Sequence, residues 1–321
     1  MSAGGNKIDV KVVEVSKVND LVTRFSFERT DGALLPSFSG GAHIVVEMKD
    51  CEVNRLNPYS LMSDPMDQTR YSISVRRDDH GRGGSLFMHY KVKPGDEMVI
   101  SYPVNLFAMD LRAQKHLMIA GGIGITPFLA QIKQLGALQG HFELHYSCRS
   151  PALASYADDL TAHHPDNVHV YYDDHSQKID LVHLLTNQPL GTHVYVCGPK
   201  GMIEWMRNTA MQLGWPYETI HYEEFLAPPS GETFTVNLAL SKKTIMVGEQ
   251  QSLLEAIEAA GVDAPYLCRG GACGQCETAV LECDGDILHN DHWLDDEQRL
   301  GKGLIMPCVS RFVGDKLVLE R

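Results

Sequence analysis

The stretch CRGGACGQC places Cys268, Cys273 and Cys276 within nine residues as Cys-x4-Cys-x2-Cys, and a fourth thiol, Cys308, follows in IMPCVS. Thiolates at this spacing with a distant fourth are the ligand set of a plant-type [2Fe-2S] cluster, a one-electron carrier. Gly270, Gly271 and Gly274 suit such a loop, because a chain wrapped round sulfide must turn through positive φ and aim backbone N–H groups at sulfur. Structural zinc is the competing reading, but it pairs its cysteines as two Cys-x2-Cys units and only one is present. Cys283 lies in TAVLECDGD, a strand entering a turn, and is read as structural, as are Cys51 and Cys148. His141 and His145 stand four apart in a strand-like stretch and are read as solvated or packed rather than as ligands.

A second chemistry lies upstream. In AGGIGITP, residues 120–127, the glycines Gly121, Gly122 and Gly124 follow an apolar strand and precede a helix. The spacing is not G-x-G-x-x-G, yet small residues there admit a pyrophosphate to a helix N-terminus carrying roughly half a positive charge. A nucleotide site delivers hydride, two electrons at once, whereas the cysteine site carries one. A flavin is the usual group that joins them.

Positioning these groups takes three kinds of element. Through about residue 110 the chain alternates apolar and polar residues in IDVKVVEVSKV, LVTRFSFER, AHIVVEMK, RYSISVRR and DEMVISYPV, broken by Asp-Gly, Asp-Pro and Pro-Gly, which predicts a small antiparallel barrel. Residues 111–226 alternate short apolar strands with helical stretches, the pattern of a parallel sheet with crossovers. In its first helix Thr126 is expected to cap, Pro127 to open the first turn, and Phe128, Leu129, Ile132 and Leu135 to face inward. Residues 227–234, around Pro-Pro-Ser-Gly, read as a linker, and 235–321 as an α+β unit with a strand pair and a helix opened by a Ser252–Glu255 capping box and closed at Gly261.

A length of 321 residues fits two or three domains, and no apolar run approaches the ~18 residues of a membrane span. The net charge of −13 argues against nucleic acid as partner. From residue 231 onward 15 Asp and Glu stand against 8 Lys and Arg, a balance of −7 over the last quarter. No signal peptide is visible, so the expectation is a cytoplasmic protein, there with thiols kept reduced, off the membrane and monomeric.

With these motifs in this order, the chain resembles the phthalate dioxygenase reductase family over essentially its whole length, and the part from about Thr233 resembles a plant-type ferredoxin of the β-grasp fold. The resemblance implies an FMN site, FAD being the alternative, in the barrel. Its Arg-x-Tyr-Ser motif is met here by NPYSL: Tyr59 and Ser60 match and Leu61 follows, but Asn57 stands at the arginine position, leaving Arg55 or Arg76 to serve the phosphate. Ser74, Val75 and Arg76 in YSISVRR, the phosphate loop GRGGS with Gly83, Gly84 and Ser85, then Thr126 and Phe225 of YEEF complete the implied flavin contacts. For the nucleotide it implies Gly121, Gly122, Gly124 and Pro127, then Cys197, Gly198 and Pro199 of VYVCGPKGM. Arg149 among the acids Asp173 and Asp174 favours NADH over NADPH. The family's partner is the terminal component of a Rieske-type oxygenase. A reductase for a cytochrome P450 and a non-enzymatic iron–sulfur redox sensor are the rival readings.

Overall fold

The computed structural model describes residues 7–50 and 53–321. Cys51 lies outside them. The barrel contains β1 (Lys7–Lys17), β2 (Val22–Arg29), β3 (Ala42–Lys49), β4 (Asn54–Ser60) and β5 (Tyr71–Arg76), then helix α1 (Gly84–Lys91), β6 (Glu97–Ser101) and the short β7 (Val104–Asn105). Its antiparallel order is β4-β3-β6-β1-β2-β5, with β7 on β3. Alternation decides which residues fill it: Ile8, Val10 and Val12 of β1 point inward against Phe25, Phe27, Ile44 and Ile73. Gly83, at φ +87°, turns the chain from the 78–83 loop into α1.

The second unit runs β8 (Lys115–Gly121), α2 (Thr126–Leu138), β9 (Phe142–Cys148), α3 (Ala157–His163), β10 (Val168–Tyr172), α4 (Leu181–Thr186), β11 (Thr192–Cys197), α5 (Lys200–Gln212) and β12 (Ile220–Glu223). Its strands are parallel in the order β10-β9-β8-β11-β12. The chain leaves β8 toward one edge and returns to β11 on the other side, so a crevice opens beyond the carboxyl ends of β8 and β11, where such sheets bind ligands. Phe128, Leu129, Ile132 and Leu135 are buried as expected. Thr126 differs from its expected role. A 3-10 turn over residues 122–125 runs straight into α2, so Thr126 is already helical and donates its hydroxyl to the Ile123 carbonyl instead of capping.

The third unit comprises β13 (Phe234–Leu238), β14 (Lys243–Val247), α6 (Leu253–Ala259), β15 (Thr278–Leu288), α7 (Asp296–Leu300), β16 (Leu304–Ile305) and β17 (Arg311–Leu319). Its order is β14-β13-β17-β15-β16, with β13 and β17 parallel, the β-grasp arrangement. The Ser252–Glu255 capping box is present and Gly261 takes φ +69° after the helix. Cys268, Cys273 and Cys276 lie in the loop between α6 and β15, and Cys308 lies before β17. Among the described residues no helix is long and apolar enough to cross a membrane.

Candidate electron-transfer site

A cavity of about 670 Å³ opens where the three units meet. The barrel supplies His43, Asn57, Tyr59, Ser60, Ser74 and Arg76, and the 78–85 loop adds Arg82, Gly84 and Ser85. Ile123 and Thr126 face it from the nucleotide unit, Phe225 from the segment after β12, and Cys268 and Gly270 from the cysteine loop. Sheet geometry explains the barrel wall: β3 and β4 pair His43 with Ser60, and on β5 Ser74 and Arg76 line the cavity while Val75 does not. Val75 and Leu61, both also expected at the flavin, have their side chains almost fully buried in the barrel core, which leaves only their backbone to face the cavity.

Polar groups around the cavity are held in place. Ser74 Oγ lies 2.5 Å from the Tyr156 hydroxyl, and the Ser85 hydroxyl accepts from the Asp78 N–H at 2.9 Å, closing the 78–85 loop. Arg55 donates Nε to the Arg82 carbonyl at 2.6 Å and covers Gly83, while Arg76 stays exposed on the wall. Desolvation raises the Tyr59 phenol to about 12 and holds buried His43 neutral, its pKa pushed down to about 4. Phe225 is 45% exposed against the opening.

The residues expected for the nucleotide gather outside the cavity, at the carboxyl ends of the strands. Gly124 is needed for a close approach: a Cβ there would stand 2.2 Å from the Cys197 carbonyl oxygen. A Cβ on Gly121 would meet Pro199 and Met202, so this turn nests against Gly198 and Pro199 at the start of α5. Gly122 takes φ +54° and Pro127 sits in the first turn of α2. Cys197 is fully buried in the core and its thiol is raised well above the usual range by burial, which removes it as a reactive group and from the cavity wall. Arg149 and Asp173 follow the neighbouring strands β9 and β10, whose ends pair Cys148 with Tyr172, and the Asp174 N–H donates to the Arg149 carbonyl.

Cys268, Cys273 and Cys276 of the loop and Cys308 are free thiols, Cys268 set against Cys273 and Cys276 against Cys308. Hydrogen bonding to Cys273 lowers the Cys268 thiol to about 5 and raises that of Cys273, and Cys276 is lowered by Cys308 in the same way. Gly270 N–H reaches Cys268 Sγ at 3.3 Å, and the Ala272 and Cys273 N–H groups also face that sulfur. Four sulfurs on a single zinc would all lie about 3.8 Å apart, from a Zn–S bond near 2.3 Å in a tetrahedron. Among the described residues no three cysteine sulfurs lie within 4.8 Å of one another; the one group of that kind is Glu143, His145 and His169. Two pairs set apart, with amides aimed at sulfur, fit two irons bridged by sulfide better than one zinc ion. In the Glu143 group His145 is packed, bonded to Glu143 at 2.9 Å and to the Tyr171 hydroxyl at 2.8 Å.

Several lining groups escaped the sequence reading. His43 carries no motif. Arg82 stands inside the quoted GRGGS and Glu223 inside YEEF, so their positions were visible but not their surroundings. Glu223 is half-buried toward the cavity, its Oε2 is shut from solvent without a partner, and desolvation raises its carboxyl to about 8. Glu224 lies 2.9 Å from His292 of the third unit.

Residues 99–220 match the family described as dimethylamine monooxygenase subunit DmmA-like, N-terminal domain, and residues 236–313 match the 2Fe-2S iron-sulfur cluster binding domain, a span that includes all four cysteines. The carnitine monooxygenase reductase subunit of Acinetobacter baumannii is 45% identical over 96% of both chains. The heme-dependent oxidative N-demethylase beta subunit of Ectopseudomonas mendocina is 41% identical over 98% of both. A solved phthalate dioxygenase reductase, described as modular for electron transfer from pyridine nucleotides to [2Fe-2S], superposes with a TM-score of 0.89 at 33% identity over 98% of both chains. A barrel, a parallel nucleotide sheet and a β-grasp cluster domain around one cavity, together with this likeness along the whole chain, show that the protein belongs to the phthalate dioxygenase reductase family, the oxidoreductases that carry electrons through flavin and a [2Fe-2S] cluster to an oxygenase component.

Proposed function

We propose that the chain takes hydride from NADH onto FMN in the three-way cavity and releases the electrons one at a time through a cluster held by Cys268, Cys273, Cys276 and Cys308. The observation that carries this reading is the cavity itself, in which the flavin-motif residues Tyr59, Ser60 and Ser74 share one wall system with Thr126, Phe225 and the cluster ligand Cys268. Bound there, the flavin supplies the conversion between two-electron and one-electron chemistry. Tyr59 and Phe225 offer rings for its faces, and Ser60 and Ser74 offer hydroxyls for its polar edge. The 78–85 loop and the start of α1 offer N–H groups to a terminal phosphate, which favours FMN. Gly121 and Gly124 let the turn close against Cys197 and the start of α5, Gly122 leaves open space over it for the NADH pyrophosphate, and Asp173 beside Arg149 suits a ribose 2′-hydroxyl.

The acceptor on this reading is a terminal oxygenase of the Rieske type. A relative named for carnitine and a second named for oxidative N-demethylation, with the dimethylamine family match, favour an oxygenase that attacks alkylated amines. The heme-dependent relative supports a second reading, in which the acceptor carries haem. The purified holoprotein is expected to contain FMN with iron and acid-labile sulfide in equal amounts, and to oxidise NADH steadily with cytochrome c. An inert protein carrying both groups favours a sensor, and a colourless one without sulfide returns the cysteines to zinc. Titrating the reduced protein with a purified Rieske or haem oxygenase, and following which one is reduced, separates the two acceptors.

A further inference from the structure

Arg82 belongs to the phosphate loop, yet its guanidinium is engaged elsewhere. Nη1 donates to Glu255 Oε2 at 2.7 Å and to the Gln250 carbonyl at 3.2 Å, and Nη2 donates to Asn57 Oδ1 at 2.9 Å. Both charged side chains are almost wholly buried, at 3% and 4% exposure. Glu255 is the capping-box residue of α6, and a capping carboxylate ordinarily needs only its own Ser252 N–H. Here Oε2 accepts that bond at 2.7 Å while Oε1 accepts the Leu56 N–H of β4 at 3.0 Å. One carboxylate therefore joins the first helix of the cluster domain to the strand and the loop that form the flavin wall.

We propose that the Glu255–Arg82 pair is the positioning device that sets the cluster against the flavin, and that Asn57 is the part of it that keeps Arg82 in place. This rests on the flavin and cluster reading above. Interfaces between domains of one chain are by default small, polar and mobile. A desolvated, multiply bonded ion pair is directional, and breaking it leaves a buried charge without a partner. The junction it fixes is the relevant one, because Gly270, between two cluster ligands, lies against Pro58 of β4, and Cys268 reaches the cavity. Position 57 follows from the same geometry. The Asn57 carboxamide accepts from Arg82, whereas the arginine usual in the family would set a second cation against it.

Glu255→Gln tests the pair cleanly, since glutamine still completes a capping box but carries no charge. In anaerobic stopped-flow mixing of the holoprotein with NADH, flavin bleaching is expected to keep its wild-type rate. Cluster reduction should slow severalfold as the loosened junction lets the two centres separate, and cytochrome c reduction with it. A variant with intact flavin and iron whose cluster reduces at the wild-type rate overturns the proposal. Arg82→Met with Glu255→Leu supplies a packed apolar pair of the kind that often preserves stability; it should leave cluster reduction slow, and recovery of the wild-type rate would show that packing alone sets the junction. If a variant loads poorly, hydrogen exchange decides: amides of residues 54–60 should lose protection in Glu255→Ala, and unchanged protection contradicts the latch. A wild-type protein that takes up neither flavin nor cluster defeats the functional reading instead, and is distinguished by its colour and iron content.

Discussion

The barrel meets its two neighbours in different ways. Against the nucleotide unit it shares an apolar core: Met62, Phe107 and Met109 pack with Met118, Phe128 and Ile132 in one buried cluster, with the Phe107 ring 5.7 Å from Phe128 and 5.9 Å from Tyr195. Buried Gln131 ties the two at the Phe107 carbonyl, and a Cβ on Gly40 would stand 2.6 Å from the Gln131 backbone. Against the cluster domain, among the described residues, no buried apolar cluster spans the junction. Polar links do the joining there, Arg82 to Glu255 and to the Gln250 carbonyl and the Leu56 N–H to Glu255, while His292 with Glu224 and Asn290 with the Ala227 carbonyl tie the cluster domain to the nucleotide unit and the linker. The difference follows the chemistry. Hydride transfer requires two rings at contact distance, which a common core supplies, whereas electron transfer tolerates a bonded but separable neighbour.

Substitutions sharpen or break this contrast. Cys308→Ser should have the largest effect, abolishing cytochrome c reduction while NADH still bleaches the flavin at its normal rate, because the cluster domain shares no apolar core with the barrel. Loss of both activities would mean that the two junctions are not independent. Phe128→Ala removes a fully buried ring from the shared core and should cost about 3–5 kcal/mol in denaturant unfolding, with hydride transfer impaired alongside. A loss below about 1 kcal/mol would deny that this core holds the units together.

Gly124→Ala forces a methyl against the Cys197 carbonyl and should cost about 1–3 kcal/mol, raising KM for NADH while leaving the cluster's reduction by dithionite untouched. The smallest effect concerns Glu223. Its folded pKa, about 8, lies above the ordinary 4.5, so between those values the folded chain keeps a proton that the unfolded chain releases. Stability therefore falls as pH rises through that window, and Glu223→Gln should abolish the fall. The variant should be about 1 kcal/mol or more firmer than wild type at pH 8 and level with it at pH 4, by urea midpoint. Equal midpoints at both values would show that the carboxyl is solvated.

Legibility followed the distance over which each feature is encoded. Cys268, Cys273 and Cys276 announce a cluster because their spacing is local, and the helix face of Phe128, Leu129, Ile132 and Leu135 is periodic in the chain. The three units and their sheet classes were equally readable from strand and helix rhythm. Thr126 was misjudged because the 3-10 turn before it depends on how Gly124 nests under Cys197, which no short window contains. Leu61 and Val75 follow wall residues in the chain, but their side chains pack into the barrel core, a direction no short window of sequence states. Arg82 and Glu255 stand 173 residues apart, and neither charge shows its partner in the sequence.

The central claim is that one chain receives electrons in pairs and holds them in two separate centres. An anaerobic titration of the oxidised holoprotein with NADH, read by flavin absorbance and by the electron paramagnetic resonance of the reduced cluster, tests it most directly. The account predicts saturation at about 1.5 equivalents per chain, two electrons in flavin and one in the cluster. Full flavin reduction at one equivalent with the cluster still oxidised would contradict it.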